Sequence, residues 1–177
     1  MILRSQIERS ARAKKRRRLT LFLTGMAIGC VSLSTRSAIP LIVYNPTRSA
    51  PLGYYRTLAA KPLSRGDWVL LKTPATVRQM ADERGYIPAT VPMIKSVVAL
   101  AGDTVCADGP RISINGVPVA MRLRLDHRGR PLPWWTGCRK LSPDEIFVLN
   151  RAAPSSFDGR YFGPVPVRSV RARLVHL

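Results

Sequence analysis

From Leu19 to Thr35 the chain runs for 17 residues without a charge, directly behind the basic run Lys14-Lys15-Arg16-Arg17-Arg18. Seventeen such residues sit at the short limit of a membrane-spanning helix. The basic flank is expected to stay in the cytoplasm and place the C-terminal part of the chain outside. A cleavable signal peptide shares this layout, with small residues between Ser32 and Ala38 as a cut site. The retained anchor is the reading adopted, and a second apolar stretch, Ala38 to Tyr44, extends the membrane contact. The chain then divides into a basic cytoplasmic N-terminus (1–18), an anchor or signal segment (19–44) and an exported, periplasmic domain (45–177). Both readings of the apolar segment export the last of these.

Net charge is +19, a balance that invites a nucleic-acid reading. Residues 1–18 alone hold eight Lys/Arg against one Glu, whereas the rest of the charge is spread without a comparable run. A basic cluster placed directly before an apolar segment reads as a topology signal, so no nucleic-acid partner is expected. The partners expected are the inner membrane, crossed once, and an exported protein substrate.

Fifteen prolines and twelve glycines in 177 residues favour short elements and many turns. β-favouring runs lie between turn signals at Trp68–Lys72, Met93–Leu100, Arg111–Ile114, Val117–Arg122, Glu145–Leu149 and Val167–Val175. Asn115-Gly116 is the strongest hairpin signal, since both residues tolerate the positive φ of a type I′ turn. One short helix is expected within Thr76–Arg84. The fold class is therefore mainly β, behind one N-terminal membrane-anchor helix. Cys106 and Cys138 fall in the exported part, where a disulfide can persist; two separate buried thiols are the alternative. A bridge would close a loop of about 30 residues and stabilise by about 3–4 kcal/mol.

The supply of catalytic side chains is narrow. His127 and His176 are the only histidines, so a Ser-His-Asp triad or a His-rich metal site is poorly provided for, and no metal or cofactor is expected. A serine nucleophile would need another base, and lysine is the variant that supplies one. Ser49 sits in the Pro/Gly-rich segment Asn45–Tyr54. Lys95 interrupts the apolar run from Met93 to Leu100. As an edge-strand residue Lys95 would face water; buried in that run, its ammonium would be disfavoured and its pKa lowered towards general-base duty.

Taken with their order and spacing, several blocks resemble the type I signal peptidase superfamily, and most closely its conjugative-transfer branch, the TraF-type pilin-processing peptidases. The blocks are N-x-T-x-S-x-P-x-G-Y at 45–54, R-G-D at 65–67, I-K-x-V…G-D at 94–103, I-N-G at 114–116, D-x-x-G-R-P-L-P at 126–133 and S-F-D-x-R-Y-F-G-P at 156–164. The resemblance covers about residues 45–177 and implies a signal-peptidase-like β-rich catalytic domain. It assigns Ser49 as nucleophile, Lys95 as its general base and Thr47 as an oxyanion donor beside the Ser49 backbone N–H. Ser156 would orient the lysine amine. Asp158 with Arg160 would brace the site, either as an ordinary ion pair or with the aspartate contributing to activity.

The implied activity is that of a membrane-anchored serine endopeptidase processing exported precursors, in particular a conjugative pilin for a transfer or type IV secretion system, by cleavage with or without cyclisation. General signal peptidase I activity and a non-catalytic subunit of a secretion machine are the alternatives. Three positions depart from the family pattern: Ser96 where many relatives have Arg, Ala101 where many have Pro, and Gly159 where Ser is common. Ala50-Pro51 after the serine, in place of Met-Pro, favours the conjugative branch. Trp134-Trp135 is open to two readings, a membrane-interface anchor or packing within the domain.

Overall fold

The strands are short, as the density of turn residues demands. In chain order they are β1 (Ile42–Asn45), β2 (Gly53–Leu58), β3 (Trp68–Leu71), β4 (Met93–Ala99), β5 (Thr104–Asp108), β6 (Arg111–Ile114), β7 (Val117–Met121), β8 (Gly137–Lys140), β9 (Glu145–Leu149), β10 (Val165–Pro166) and β11 (Val170–His176). The computed structural model describes residues 16–26 and 39–177. They fall in two units, Met1–Ala38 and Ile39–Leu177. In the first unit, residues 16–26 are helical (α1). The second carries all eleven strands, α2 (Ala75–Glu83) and the single-turn α3 (Gly159–Phe162).

Among the described residues no helix is long and apolar enough to cross a membrane. Of the expected anchor helix, residues 19–26 belong to α1 and 27–38 lie outside the described residues. Of the apolar stretch from Ala38 to Tyr44, Ala38 lies outside the described residues, and Ile42–Tyr44 belong to β1, which pairs antiparallel with β2 and places Ile42 opposite Arg56 and Asn45 opposite Gly53. Apolar residues that read as membrane contact thus begin a sheet, and β1 runs straight on to the turn that carries Ser49.

Two antiparallel sheets build the second unit. One has the order β1-β2-β11-β3-β4-β9-β10 and the other β7-β6-β5-β8. Six of these strands coincide with the runs read from the sequence, and α2 with the expected helix. The run expected to start at Val167 opens instead with a 3₁₀ turn over Val167–Ser169, behind Pro166. At the β6–β7 hairpin Asn115 and Gly116 have φ of 51° and 81°, the positive pair a type I′ turn needs.

Alternation along the strands divides the core. In β9, Ile146 and Val148 join one cluster with Val69, Leu71, Met93 and Val97, while Phe147 and Leu149 join the cluster under the second sheet with Val105, Ile112 and Leu141. β9 is apolar on both faces because both faces are covered. The second sheet is tied covalently at its edge: Cys106 of β5 faces Cys138 of β8, and the two form a disulfide. The Trp pair packs within the domain. Trp135 meets Phe147 edge to face, with centroids 6.1 Å apart, and Trp134 lies under the Arg122 guanidinium at 4.2 Å.

Several matching blocks meet in space as structural joints. Arg65 pairs with Asp103, and Asn115 Nδ2 donates to the same carboxylate at 2.8 Å. Three blocks far apart in sequence thereby close one corner, and the Arg65 hydrogen bond leads in holding Asp103 down to about 2. Asp126 plays a similar part in its own loop, accepting from the backbone of Arg128 and Arg130.

Candidate active site

Asn45, the last residue of β1, is buried and organises the turn after it. Its Nδ2 donates to the carbonyls of Thr47, Ala50 and Pro51 at 2.9, 3.2 and 3.0 Å. Three carbonyl partners fix which side of the amide is nitrogen, so Oδ1 accepts from Thr47 N–H at 3.1 Å and Thr47 Oγ1 at 2.9 Å. The Thr47 hydroxyl spends its one proton on Asn45. In the 3.0 Å contact between Thr47 Oγ1 and Ser49 Oγ, Ser49 is therefore the donor. Tyr55 O–H closes the far side of the turn on the Pro51 carbonyl at 2.7 Å. Ser49 is left half-exposed at its tip.

Lys95 lies on β4 between Met93 and Val97, and strand periodicity turns all three to the same face. Its register partner on β3 is Val69, which is fully buried. A lysine can be this deeply placed, at 5% exposure, only if its amine finds a partner. Nζ donates to Ser156 Oγ at 2.9 Å. Burial pushes the Lys95 pKa down from 10.5 to about 8; Asp158 opposes that shift and Arg160 reinforces it. An amine of this kind is neutral in a useful fraction near pH 7–8.

Asp158 and Arg160 are buried with it. Arg160 Nε lies 3.2 Å from Asp158 Oδ1, without the alignment of a hydrogen bond. The guanidinium spends its other donors on the loop before it, at the carbonyls of Asn150 (2.8 Å), Ala153 (3.0 Å) and Pro154. Asp158 accepts the Asn150 N–H at 3.0 Å and caps α3 through the Arg160 N–H at 3.2 Å. Burial pushes the Asp158 carboxyl up, against the pull of Arg160 and Lys95.

The predicted residues thus form two clusters, Thr47 with Ser49 and Lys95 with Ser156, Asp158 and Arg160. Ser49 Oγ is bonded to Thr47 and Lys95 Nζ to Ser156, and among the described residues Ser49 and Lys95 share no hydrogen bond. Asn150, which nothing in the sequence motifs singled out, joins the clusters. Its Nδ2 donates to the Ser49 carbonyl and, at 3.1 Å, to the Ile94 carbonyl, while its Oδ1 accepts the Ser96 N–H at 3.1 Å. One amide therefore holds the serine turn against the two residues that flank Lys95. The only sequence signal was a polar residue ending the apolar run of β9.

A groove of about 820 Å³ passes this junction. Ser49, Pro51, Leu52, Trp68, Val97 and Leu149 contribute to its largely apolar lining.

A family model for the signal peptidases, "Signal peptidase, peptidase S26", matches residues 17–176. The chain belongs to the peptidase S26 family. It is 36% identical over 131 residues to a plasmid transfer protein TraF of Escherichia coli, covering 68% of this chain and 73% of that one. It is 32% identical over 175 residues to a probable conjugal transfer protein TraF of Sinorhizobium fredii, covering 93% and 91%. A signal peptidase I structure from Enterococcus faecalis aligns at 21% identity with a TM-score of 0.39, over 65% of this chain and 98% of that one. The TraF relatives place this S26 peptidase on the conjugation-related side of the family.

Within this S26 peptidase the departures acquire physical content. A Cβ on Gly159 would stand 2.6 Å from the Val148 carbonyl oxygen and 2.7 Å from the Phe147 ring. Glycine is what lets α3 lie against β9 beside so large a residue. Ser96 keeps a short side chain at the groove wall. Ala101 occupies a turn whose geometry is set by Asp103, which accepts the Leu100 N–H at 2.8 Å.

Proposed function

We propose that this chain is a membrane-anchored serine endopeptidase that matures an exported, pilin-like precursor for conjugative transfer, with Ser49 as nucleophile and Lys95 as base. The observation that carries the reading is the buried Lys95 amine, lowered to about 8 and set in place by Ser156. A lysine kept for structure gains nothing from such a position, since desolvation penalises its charge. The names of the TraF relatives support the conjugative setting, and the basic flank before Leu19 supports the topology.

In the proposed reaction the Ser49 hydroxyl turns from Thr47 to neutral Lys95 and gives Nζ its proton as Oγ bonds to the scissile carbonyl carbon. The Ser49 N–H and the Thr47 hydroxyl hold the oxyanion, Thr47 exchanging its bond to Asn45 for one to the new charge. The C–N bond then breaks, Lys95 returns the proton to the leaving amine, and an ester on Ser49 remains. Water resolves the ester to a linear product. Attack by the substrate's own N-terminal amine resolves it to a ring, and in both cases Lys95 accepts the attacking group's proton and Ser49 recovers its own.

Co-expression with a candidate pilin precursor, followed by mass spectrometry, tests the assignment. The expected product is cut at one fixed bond, and a mass lower by one water than the linear fragment identifies cyclisation. A precursor of unchanged mass in cells carrying the full chain would overturn the proposal.

A further inference from the structure

The groove carries charge of one sign. Arg48, Arg65 and Arg151 line it, and no aspartate or glutamate does. Arg65 is engaged by Asp103, but Arg48 and Arg151 are exposed and make no ion pair among the described residues. Their placement is specific. Arg48 precedes Ser49 and Arg151 follows Asn150, and Asn150 hydrogen-bonds the Ser49 carbonyl. Arg48 and Arg151 therefore neighbour in sequence the two residues, Ser49 and Asn150, whose hydrogen bond joins the serine turn to the lysine strand, and both line the groove there. Asp67, the acid nearest in sequence to the lining, is turned away, accepting the Ser64 N–H at 2.8 Å and facing Arg173.

We propose that the groove selects peptides with carboxylate side chains close to the scissile bond, read by Arg48, in the Ser49 turn, and Arg151, next to Asn150. This rests on the groove being the peptide site of the proposed peptidase. An apolar channel binds the peptide by shape and small apolar side chains, and tolerates many sequences. A pair of cations in its lining adds a charge criterion, because guanidinium pairs carboxylates with two parallel hydrogen bonds. The rest of the basic surface supplies long-range attraction to any anion, whereas Arg48 and Arg151 line the groove itself, and the third arginine of the lining, Arg65, is paired with Asp103.

Binding is measured without turnover, on the full chain carrying Ser49→Ala in detergent. The probes are two labelled twelve-residue peptides with an alanine-rich centre, one with two central glutamates and the other with glutamines at the same places. The glutamate peptide is expected to bind about tenfold more tightly at low ionic strength, with the difference shrinking in salt. Arg48→Gln with Arg151→Gln removes the difference. Arg111→Gln with Arg171→Gln, an equal loss of charge away from the groove, leaves it. Equal affinity for the two peptides, no binding of either, or an equal loss with the distant pair would each overturn the proposal. Because the readout needs no cleavage, these outcomes are independent of whether Ser49 and Lys95 catalyse.

Discussion

The amine of Lys95 donates to the hydroxyl of Ser156 at 2.9 Å, across 61 residues of sequence and inside a face otherwise built from Val69, Met93 and Val97. That contact fixes the direction of the amine, and burial fixes its pKa. The neutral form is the base, so kcat/KM should rise with pH and level off above about 8, the value to which Lys95 is lowered. Ser156→Ala should lower kcat by about 10²-fold with little change in KM, because the amine loses its aim rather than its environment. A pH–rate profile on both proteins checks this.

Stability carries the same shift with a definite sign. The folded-state pKa of Lys95 is below its unfolded value of 10.5, so the folded chain binds fewer protons between about pH 8 and 10.5. Stability is therefore penalised in full below pH 8 and recovers as pH rises through that window. Lys95→Met should stabilise the chain at pH 7 by about 2–3 kcal/mol while abolishing activity. Denaturant unfolding at pH 7 and pH 10 measures the difference, which should shrink at the higher pH.

Asp158 can be separated from a purely structural role by where the profile lies. Its charge raises the Lys95 pKa against the effect of burial. Asp158→Asn should move the midpoint of the kcat/KM profile to lower pH, in addition to destabilising the buried Arg160. An ion pair that only braces the loop would lower the folded fraction and leave the midpoint in place.

Asn150 holds the Ser49 carbonyl and both neighbours of Lys95 with a single amide. Asn150→Ala should cost about 10²-fold in kcat per folded molecule, since a small displacement of the serine turn spoils the alignment of nucleophile and base. Single-turnover cleavage, corrected for the folded fraction by circular dichroism, gives that quantity.

The Cys106–Cys138 bridge spans a separation of 32 residues. Replacing both cysteines with serine should lower unfolding free energy by about 3–4 kcal/mol in the chain-entropy model. Thermal unfolding with and without reductant should show the same loss in the unsubstituted chain and none in the variant.

How far the sequence was legible depended on whether a residue's signal was local. Lys95 stood out because a charge interrupted a period-2 apolar run, and Asn115-Gly116 because positive φ restricts residue choice. β1 was hidden because Ile42–Tyr44 continues an apolar stretch and reads as membrane contact until β2 is there to pair with it. β8, Gly137–Lys140, is exposed along its whole length and has no alternation to read; it is held by β5 and the disulfide. Thr47, Ser49, Ser156 and Asp158 were found only through the ordered blocks of the family resemblance. Asn150 was missed because its importance lies in three partners on two other segments. Gly159 stands out in the sequence only as a departure from the family pattern, and its packing requirement is visible once Phe147 lies against it.

The central claim is that Ser49 and Lys95 act together on a peptide bond. Its most direct test is cleavage of a pilin precursor by the purified full chain in detergent, quenched with acid during turnover and read by peptide mapping. A precursor fragment esterified to the peptide containing Ser49 is expected, absent in Ser49→Ala and in Lys95→Ala. Equal cleavage by those two variants and the unsubstituted chain, with no adduct on Ser49, would contradict it.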